Sequence, residues 1–319
     1  MSKKVILDTD PGIDDTMAIL FAHASKRIDL IGITTVFGNA TIENATRNAL
    51  FVKHRFGLSA DVSVGSDTPL VLEAGEPTTF VHGDNGLGNI IIPDEYYGEV
   101  DVLRAEDFII DRIKKFPGEI TLIAVGRLTN LARALDKAPE IAGLVKEVII
   151  MGGAFGHHDH CGNVTPFAEA NFIGDPQAAD KVITANWPTT IVGLDVTHQT
   201  VMSSRYIDHL RSRSERYGKF IYDITQFYTD FHRREAGIDG FYVHDSSAIA
   251  YAISPELFTT IKGKIRVVTE GPAIGHTMIK KDDRRYPIDE WSDYPAQRVC
   301  VDVDSAGLLE LYASTLAAG

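Results

Sequence analysis

Val5-Ile6-Leu7-Asp8-Thr9-Asp10-Pro11-Gly12-Ile13-Asp14-Asp15 feeds an apolar run into a tight turn that carries four carboxylates. Val5, Ile6 and Leu7 read as a short buried strand, and Pro11-Gly12 can neither continue that strand nor sit inside a helix, so the chain turns there. Asp14 and Asp15 then open a helix. Strand side chains alternate between faces, which puts Asp8 and Asp10 on one side while Asp14 and Asp15 face back over the strand end. At about 4 Å and an effective dielectric of about 20, each like-charged pair costs roughly 4 kcal/mol. Such a cluster must protonate, spread out or hold a cation. Taken singly, these acids are ordinary turn and first-turn residues. Four of them at the carboxyl end of a buried strand, where open α/β sheets place their ligands, point to a hard-cation site.

Outward from this turn, strands and helices alternate. Asp14 to Ser25 is apolar almost all round and reads as a buried helix. Leu30 to Val36 is a second strand ending in Phe37-Gly38-Asn39, Thr41 to Phe56 a helix with Thr41 as N-cap, and Asp61 to Gly65 a weak strand. Leu72 to Glu99, containing His82, reads as a long loop over the sheet. Further strands are predicted over Glu119 to Val125, Val148 to Met151 and Thr190 to Asp195, each leading into a helix, the one after Asp175-Pro176 included. Apolar, non-alternating strands in this rhythm mean a mostly parallel open sheet flanked by helices. The chain then reads as helical from Ser203 to Ala236. Ile265 to Thr269 and Arg298 to Asp302 read as edge strands before a terminal helix. The expected class is α/β, with a single Rossmann-like domain over residues 1–319 and additional helices and edge strands in its last third.

Among the 319 residues, 31 Lys and Arg face 44 Asp and Glu, a net charge of -13, which argues against nucleic acid or an anionic membrane as partner. Two cysteines, Cys161 and Cys300, are too few for a disulfide scaffold and fit a reducing compartment. The amino terminus enters a strand too short and too acidic to be a signal peptide, and no apolar run reaches the roughly 20 residues that span a bilayer. The expected location is the cytoplasm.

Strand ends distant in sequence share one crevice in such a sheet. The candidates are Asp8, Asp10, Asp14 and Asp15, Asn39, the backbone at Val125, Glu169 with Asn171, and His244-Asp245 ahead of an apolar helix. On capping statistics alone, Asp245 would be a helix N-cap. Asp8-Thr9-Asp10-Pro11-Gly12-Ile13-Asp14-Asp15 resembles the signature of the inosine-uridine-preferring nucleoside hydrolases. The resemblance extends through Gly38-Asn39, Thr46-Arg47-Asn48-Ala49, His82-Gly83, Gly126-Arg127-Leu128-Thr129-Asn130, Met151-Gly152-Gly153, Glu169-Ala170-Asn171, Asp175-Pro176-Gln177-Ala178-Ala179 and His244-Asp245. It implies a calcium-dependent hydrolase of the N-glycosidic bond of ribonucleosides, working as a homodimer or homotetramer. Matched block by block, Asp10, Asp15, Asp245 and the carbonyl of Val125 would be the calcium ligands, with Asp10 also the general base. Asp14, Asn39, Asn163, Glu169 and Asn171 would hold the ribose, and His244 would serve the leaving base. Two positions depart from the family pattern: Arg127 stands where a small or rigid residue is usual, and Ala170 where an aromatic is usual.

The residue types suit that chemistry. N-glycosidic cleavage passes through an oxocarbenium-like ribosyl cation, with positive charge on the sugar and negative charge on the base. Calcium accepts several oxygen ligands in loose geometry, which suits a ribose diol together with a water. The unperturbed pKa of a histidine such as His244 lies near neutrality and suits proton donation. Tyr228, Phe231, His232 and Tyr242 precede His244 and stand with His82 as candidates around the base, Met151 being a further substrate contact. A stripe of aromatics is equally a core feature. Gly156-His157-His158-Asp159-His160-Cys161 has transition-metal residue types, but contiguous side chains rarely converge on one ion, so it reads as a solvated loop or lid. Two alternatives stand beside this reading. One is a haloacid-dehalogenase-type phosphatase, for which the Asp-x-Asp fits but Gly12 does not. The other is a non-catalytic calcium-dependent ribose or nucleoside-binding protein, which would not need His244.

Overall fold

The structure, a computed structural model, describes residues 2–95 and 97–319. Its strands in chain order are β1 (Lys3–Thr9), β2 (Ile28–Thr35), β3 (Asp61–Val64), β4 (Ile120–Ala124), β5 (Glu147–Met151), β6 (Thr189–Val192), β7 (Val201–Ser203), β8 (Gly240–Tyr242), β9 (Phe258–Val267), β10 (Thr277–Lys280) and β11 (Ala296–Val303). The helices are α1 (Ile13–Ala24), α2 (Ile42–Phe56), α3 (Thr79–His82), α4 (Ala105–Lys115), α5 (Thr129–Lys137), α6 (Ala170–Gly174), α7 (Pro176–Thr184), α8 (Leu194–Thr197), α9 (Ser204–Arg213), α10 (Gly218–Glu235), α11 (Asp245–Ile253) and α12 (Ser305–Ala318). Nine strands form one sheet in the order β10-β9-β11-β6-β5-β4-β1-β2-β3, and β7 pairs with β8 apart from it. From β3 to β6 every pairing is parallel. Mostly parallel and covered on both faces, this is the expected α/β class.

Alternation along the strands explains the two cores. Val5 and Leu7 of β1 point into one, with Ile33, Ile123, Ile149 and Val192 and helices α1, α2, α10, α11 and α12. Ile6 points into the other, with Leu122, Val148, Ile150 and Ile191 and helices α4, α5 and α7. Helix α1 is buried at every residue but His23, as its all-round apolar sequence requires. Thr41 caps α2 by accepting from the Asn44 amide at 3.3 Å, and Asp175 caps α7 by accepting from that of Ala178 at 3.0 Å.

Several boundaries differ from expectation. The loop over residues 72–99 contains the short helix α3, which delivers His82. The strand expected over Thr190 to Asp195 stops at Val192, and α8 begins at Leu194. The helical stretch after Ser203 is two helices, broken where the Ser214 hydroxyl turns to accept from the Tyr217 amide. The segment over residues 298–302 is no edge strand. It lies within β11, parallel to β6 on one side and antiparallel to β9 on the other; the strand expected from Ile265 is the end of β9, which is internal as well, and the edge on that side is β10.

The parallel register brings the carboxyl ends of β1, β2, β4, β5 and β6 to one edge, with Asp8 opposite both Thr34 and Ala124. Asn130, fully buried at the start of α5, ties that edge together. Its amide donates to Asp8 Oδ1 at 2.8 Å and the Thr35 carbonyl at 2.9 Å, and its oxygen accepts from the Ser66 amide at 2.8 Å. Truncation would remove a partner from three buried polar groups, of which Asp8 alone keeps another through Thr34, so Asn130→Ala should cost about 2–4 kcal/mol in chemical denaturation, against less than about 0.5 kcal/mol for an exposed Asn→Ala.

Candidate functional site

A cavity of about 320 Å³ opens at the carboxyl edge of the sheet. Its floor comes from the β1–α1 turn. Asp15, in the first turn of α1, accepts four hydrogen bonds, from Thr9 Oγ1 (2.6 Å) and the Asp10 amide (3.1 Å) on Oδ1, and from the Gly12 amide (3.0 Å) and Asn39 Nδ2 (2.9 Å) on Oδ2. Asp10 accepts from the Asn39 amide through Oδ2 at 2.6 Å, while its Oδ1 is buried without a partner. Asp14 accepts from the Tyr228 hydroxyl through Oδ2 at 3.3 Å, and its Oδ1 is likewise unpartnered. Gly12 must be glycine, because a Cβ there would stand 2.7 Å from His82 Nδ1 and 3.1 Å from Asn39 Cβ.

Asp14, Asp15 and Asp245 form a group whose carboxylate oxygens lie within 4.8 Å of one another. Asp245 arrives from α11, where His244 rather than Asp245 occupies the N-cap position and makes no side-chain cap, so the capping reading of Asp245 does not hold. Burial, then the neighbouring Asp14, Asp15 and Asp10 charges, holds the Asp245 carboxyl well above the usual carboxylate range. Asp10 is raised in the same way by burial and by Asp15, and Asp14 is pushed up to about 7 by the same two causes. Acids that raise one another's pKa, with two orphaned buried oxygens among them, fit a hard cation bound through oxygen. Asp8 does not join them. Its Oδ1 accepts from Asn130 at 2.8 Å and from the Thr34 hydroxyl at 2.5 Å, beneath the floor.

The β4–α5 turn and the β5–α6 connection supply one wall. The Val125 carbonyl accepts from Asn171 Nδ2 at 2.8 Å, and the same amide reaches the Met151 carbonyl at 3.3 Å. Glu169 caps α6, accepting from the amides of Asn171 (2.9 Å), Phe172 (3.1 Å) and Gly153 (2.9 Å), and burial pushes its carboxyl up to about 7. Asn163 is held by the Ala170 amide, which donates to its Oδ1 at 3.1 Å.

Aromatic and imidazole rings make the opposite wall. His82 stacks on Tyr228 with ring centroids 5.5 Å apart and accepts from the Ile13 amide at 3.2 Å, and burial lowers its pKa to about 4. His232 and Tyr228 meet edge to face at 4.4 Å. Both are buried and both line the cavity, so the α10 stripe is core and wall together. His244 lies 2.9 Å from Thr197 Oγ1 through Nδ1. Burial, reinforced by His198, His232 and His82, drives its pKa well below the ordinary value, so the resting imidazole is neutral rather than near its titration point as its residue type suggested.

Of the expected site residues, Asp14, Asn39, His82, Val125, Met151, Asn163, Glu169, Asn171, Tyr228, His232, His244 and Asp245 line this one cavity, with Asp10 and Asp15 packed behind its floor. Sequence reading missed Thr197 and His198, which follow β6 at the same sheet edge, and Phe80, which meets the expected Phe231 at the rim with ring centroids 5.9 Å apart. The strand-end position of Thr197 was the available signal. His157 to Cys161 lies outside the cavity lining and, among the described residues, joins no cluster able to hold a metal.

The cleft lies where open α/β sheets place their ligands, and its acidic floor could hold a cation. Residues 5–310 match the profile of the inosine-uridine preferring nucleoside hydrolases, and the chain belongs to that family. It is 40% identical over 310 residues to uridine nucleosidase 1 of Arabidopsis thaliana, covering 97% of this chain and 91% of the relative. It is 39% identical over 276 residues to the inosine-uridine preferring nucleoside hydrolase of Crithidia fasciculata, covering 85% of each. Among solved structures, a plant nucleoside hydrolase superposes with a TM-score of 0.95 at 39% identity over 100% of both chains. A purine-preferring ribonucleoside hydrolase from Gardnerella vaginalis gives 0.90 at 35% identity, over 99% of this chain and 98% of that one. The chain is accordingly a hydrolase of N-glycosyl bonds, and the phosphatase alternative falls away.

Proposed function

We propose that the chain hydrolyses ribonucleosides to ribose and free base with calcium as its cation. The observation that carries this reading is the meeting of orphaned carboxylate oxygens on Asp10 and Asp14 with Asp15 and Asp245 below an aromatic and imidazole wall. The residues that would hold calcium are Asp10, Asp15, Asp245 and the Val125 carbonyl, with Asp14 close enough to contribute. When bound, calcium would supply positive charge to acidify a water and to fix the ribose diol.

The chain's own groups do the rest. Asp10, with Oδ1 free and Oδ2 pinned by Asn39, takes the proton from the attacking water as the oxygen adds to the anomeric carbon. Asp14, Asn39, Asn163, Glu169 and Asn171 orient the ribose. The glycosidic electron pair leaves with the base, between the rings of His82, Tyr228 and His232. Neutral His244, oriented by Thr197, donates a hydrogen bond from its ring N–H to the base as negative charge develops there, and the departing base takes its proton from water. Two free cysteines support a cytoplasmic location. Among the described residues no helix is long and apolar enough to cross a membrane. A homodimer or homotetramer completes the reading on the family resemblance.

His244→Ala should slow natural nucleosides about 10²- to 10⁴-fold while sparing p-nitrophenyl riboside, whose leaving group needs no proton. Equal losses on both substrates would assign His244 to sugar positioning instead. If calcium and Asp14 both engage the 2′-hydroxyl, its removal leaves buried groups unpaired, and kcat/KM for 2′-deoxyinosine and 2′-deoxyuridine should fall roughly 10⁴-fold below the ribonucleosides. Comparable values for the two sugars would remove the case for diol recognition.

A further inference from the structure

Arg127 projects from the β4–α5 turn, two residues beyond the Val125 carbonyl, into a mostly buried position. Its guanidinium lies 4.4 Å from the centroid of the Phe37 ring, and the charges facing it are those of Asp10, Asp175 and Glu169. The bend between α6 and α7 makes room for it, since a Cβ on Gly174 would stand 2.3 Å from Arg127 Nε. Among the described residues Arg127 makes no ion pair within 4.0 Å, and the three carboxylates take their donors elsewhere. Asp10 accepts from the Asn39 amide, Asp175 from Thr129 Oγ1 and the Leu70 and Ala178 amides, and Glu169 from the amides of Asn171, Phe172 and Gly153. Arg127 therefore acts on them as a fixed charge at a distance. Stacking on an aromatic face and weak hydration let a guanidinium tolerate such a position where an ammonium would resist it.

A cation fixed behind an acidic floor acts oppositely on the two states of that floor. With the site empty it offsets the mutual repulsion of Asp10, Asp15 and Asp245. With a divalent cation bound it repels that cation and competes for the same negative potential. We propose that Arg127 sets the cation affinity of the site, stabilising the cation-free fold and weakening calcium binding, so that the ion exchanges rather than being locked in. This rests on the calcium reading given above and assigns a role to a residue that touches neither ion nor substrate.

The test is calcium binding by titration calorimetry on chelator-stripped wild type, R127M and R127K, each in two buffers of different ionisation enthalpy so that proton release is accounted for, with the thermal midpoint of each stripped protein. R127M keeps bulk and loses charge; it should bind calcium about tenfold or more tightly, with a lower stripped midpoint. R127K keeps the charge and should hold calcium affinity near wild type, its stripped midpoint falling because an ammonium is the more strongly hydrated ion. An unchanged or weaker affinity in R127M, or an equal displacement of affinity in R127M and R127K, would show Arg127 to be packing alone and overturn the proposal. Should stripped R127M not fold, R127Q against R127K carries the same contrast. A wild type that binds no calcium would overturn the calcium reading itself, an outcome distinct from calcium binding that ignores Arg127.

Discussion

Like charges buried against one another at the carboxyl edge of a parallel sheet are the constraint on which this molecule depends. Each of Asp10, Asp14 and Asp245 is raised by burial first and by a neighbouring carboxylate second. Such a floor is stable only if protons or a cation occupy it and if the surrounding backbone holds the oxygens in place. The donors around Asp15 and the amide of Asn39 do that holding, and the glycines at positions 12, 38 and 126 let neighbouring segments close on the cluster. A Cβ on Gly126 would lie 2.6 Å from the free oxygen of Asp10. Arginine at position 127 adds the compensating charge from behind.

The same edge explains why the walls are rings. Parallel strands end in turns that each contribute one or two side chains, so the cleft is assembled from many short segments. Helix α10 crosses over it and presents Tyr228 and His232, while α3 brings His82 against the first turn of α1. Burial holds His82, His198, His232 and His244 toward the neutral state. A neutral imidazole wall accepts a nucleobase without adding a charge beside the acid floor, and it keeps a ring N–H for the moment the base departs.

Much of this was legible in the sequence because buried parallel strands are continuous apolar runs whose ends collect the polar residues. Strand alternation governs Asp8 within β1 but not Asp10, since Thr9 is the last strand residue and Asp10 already belongs to the turn. That is why Asp8 points to Asn130 and Thr34 while Asp10 serves the floor. Inner strands β9 and β11 could not be told from edges, because their positions follow from long-range pairing rather than from their own residues. The break between α9 and α10 was hidden for a related reason. It rests on Ser214, whose hydroxyl also donates to the Leu316 carbonyl 102 positions away. Thr197 and His198 escaped notice because the apolar run through Asp195 was read as strand throughout.

The central claim is that the acid floor is completed by calcium. The direct measurement is the metal content of the purified protein, followed by its thermal midpoint and inosine and uridine hydrolysis before and after dialysis against EGTA. The account predicts a single calcium per chain, loss of hydrolysis and a lower midpoint on its removal, and recovery of both when calcium is restored. A calcium-free protein that hydrolyses these nucleosides at an undiminished rate would contradict it.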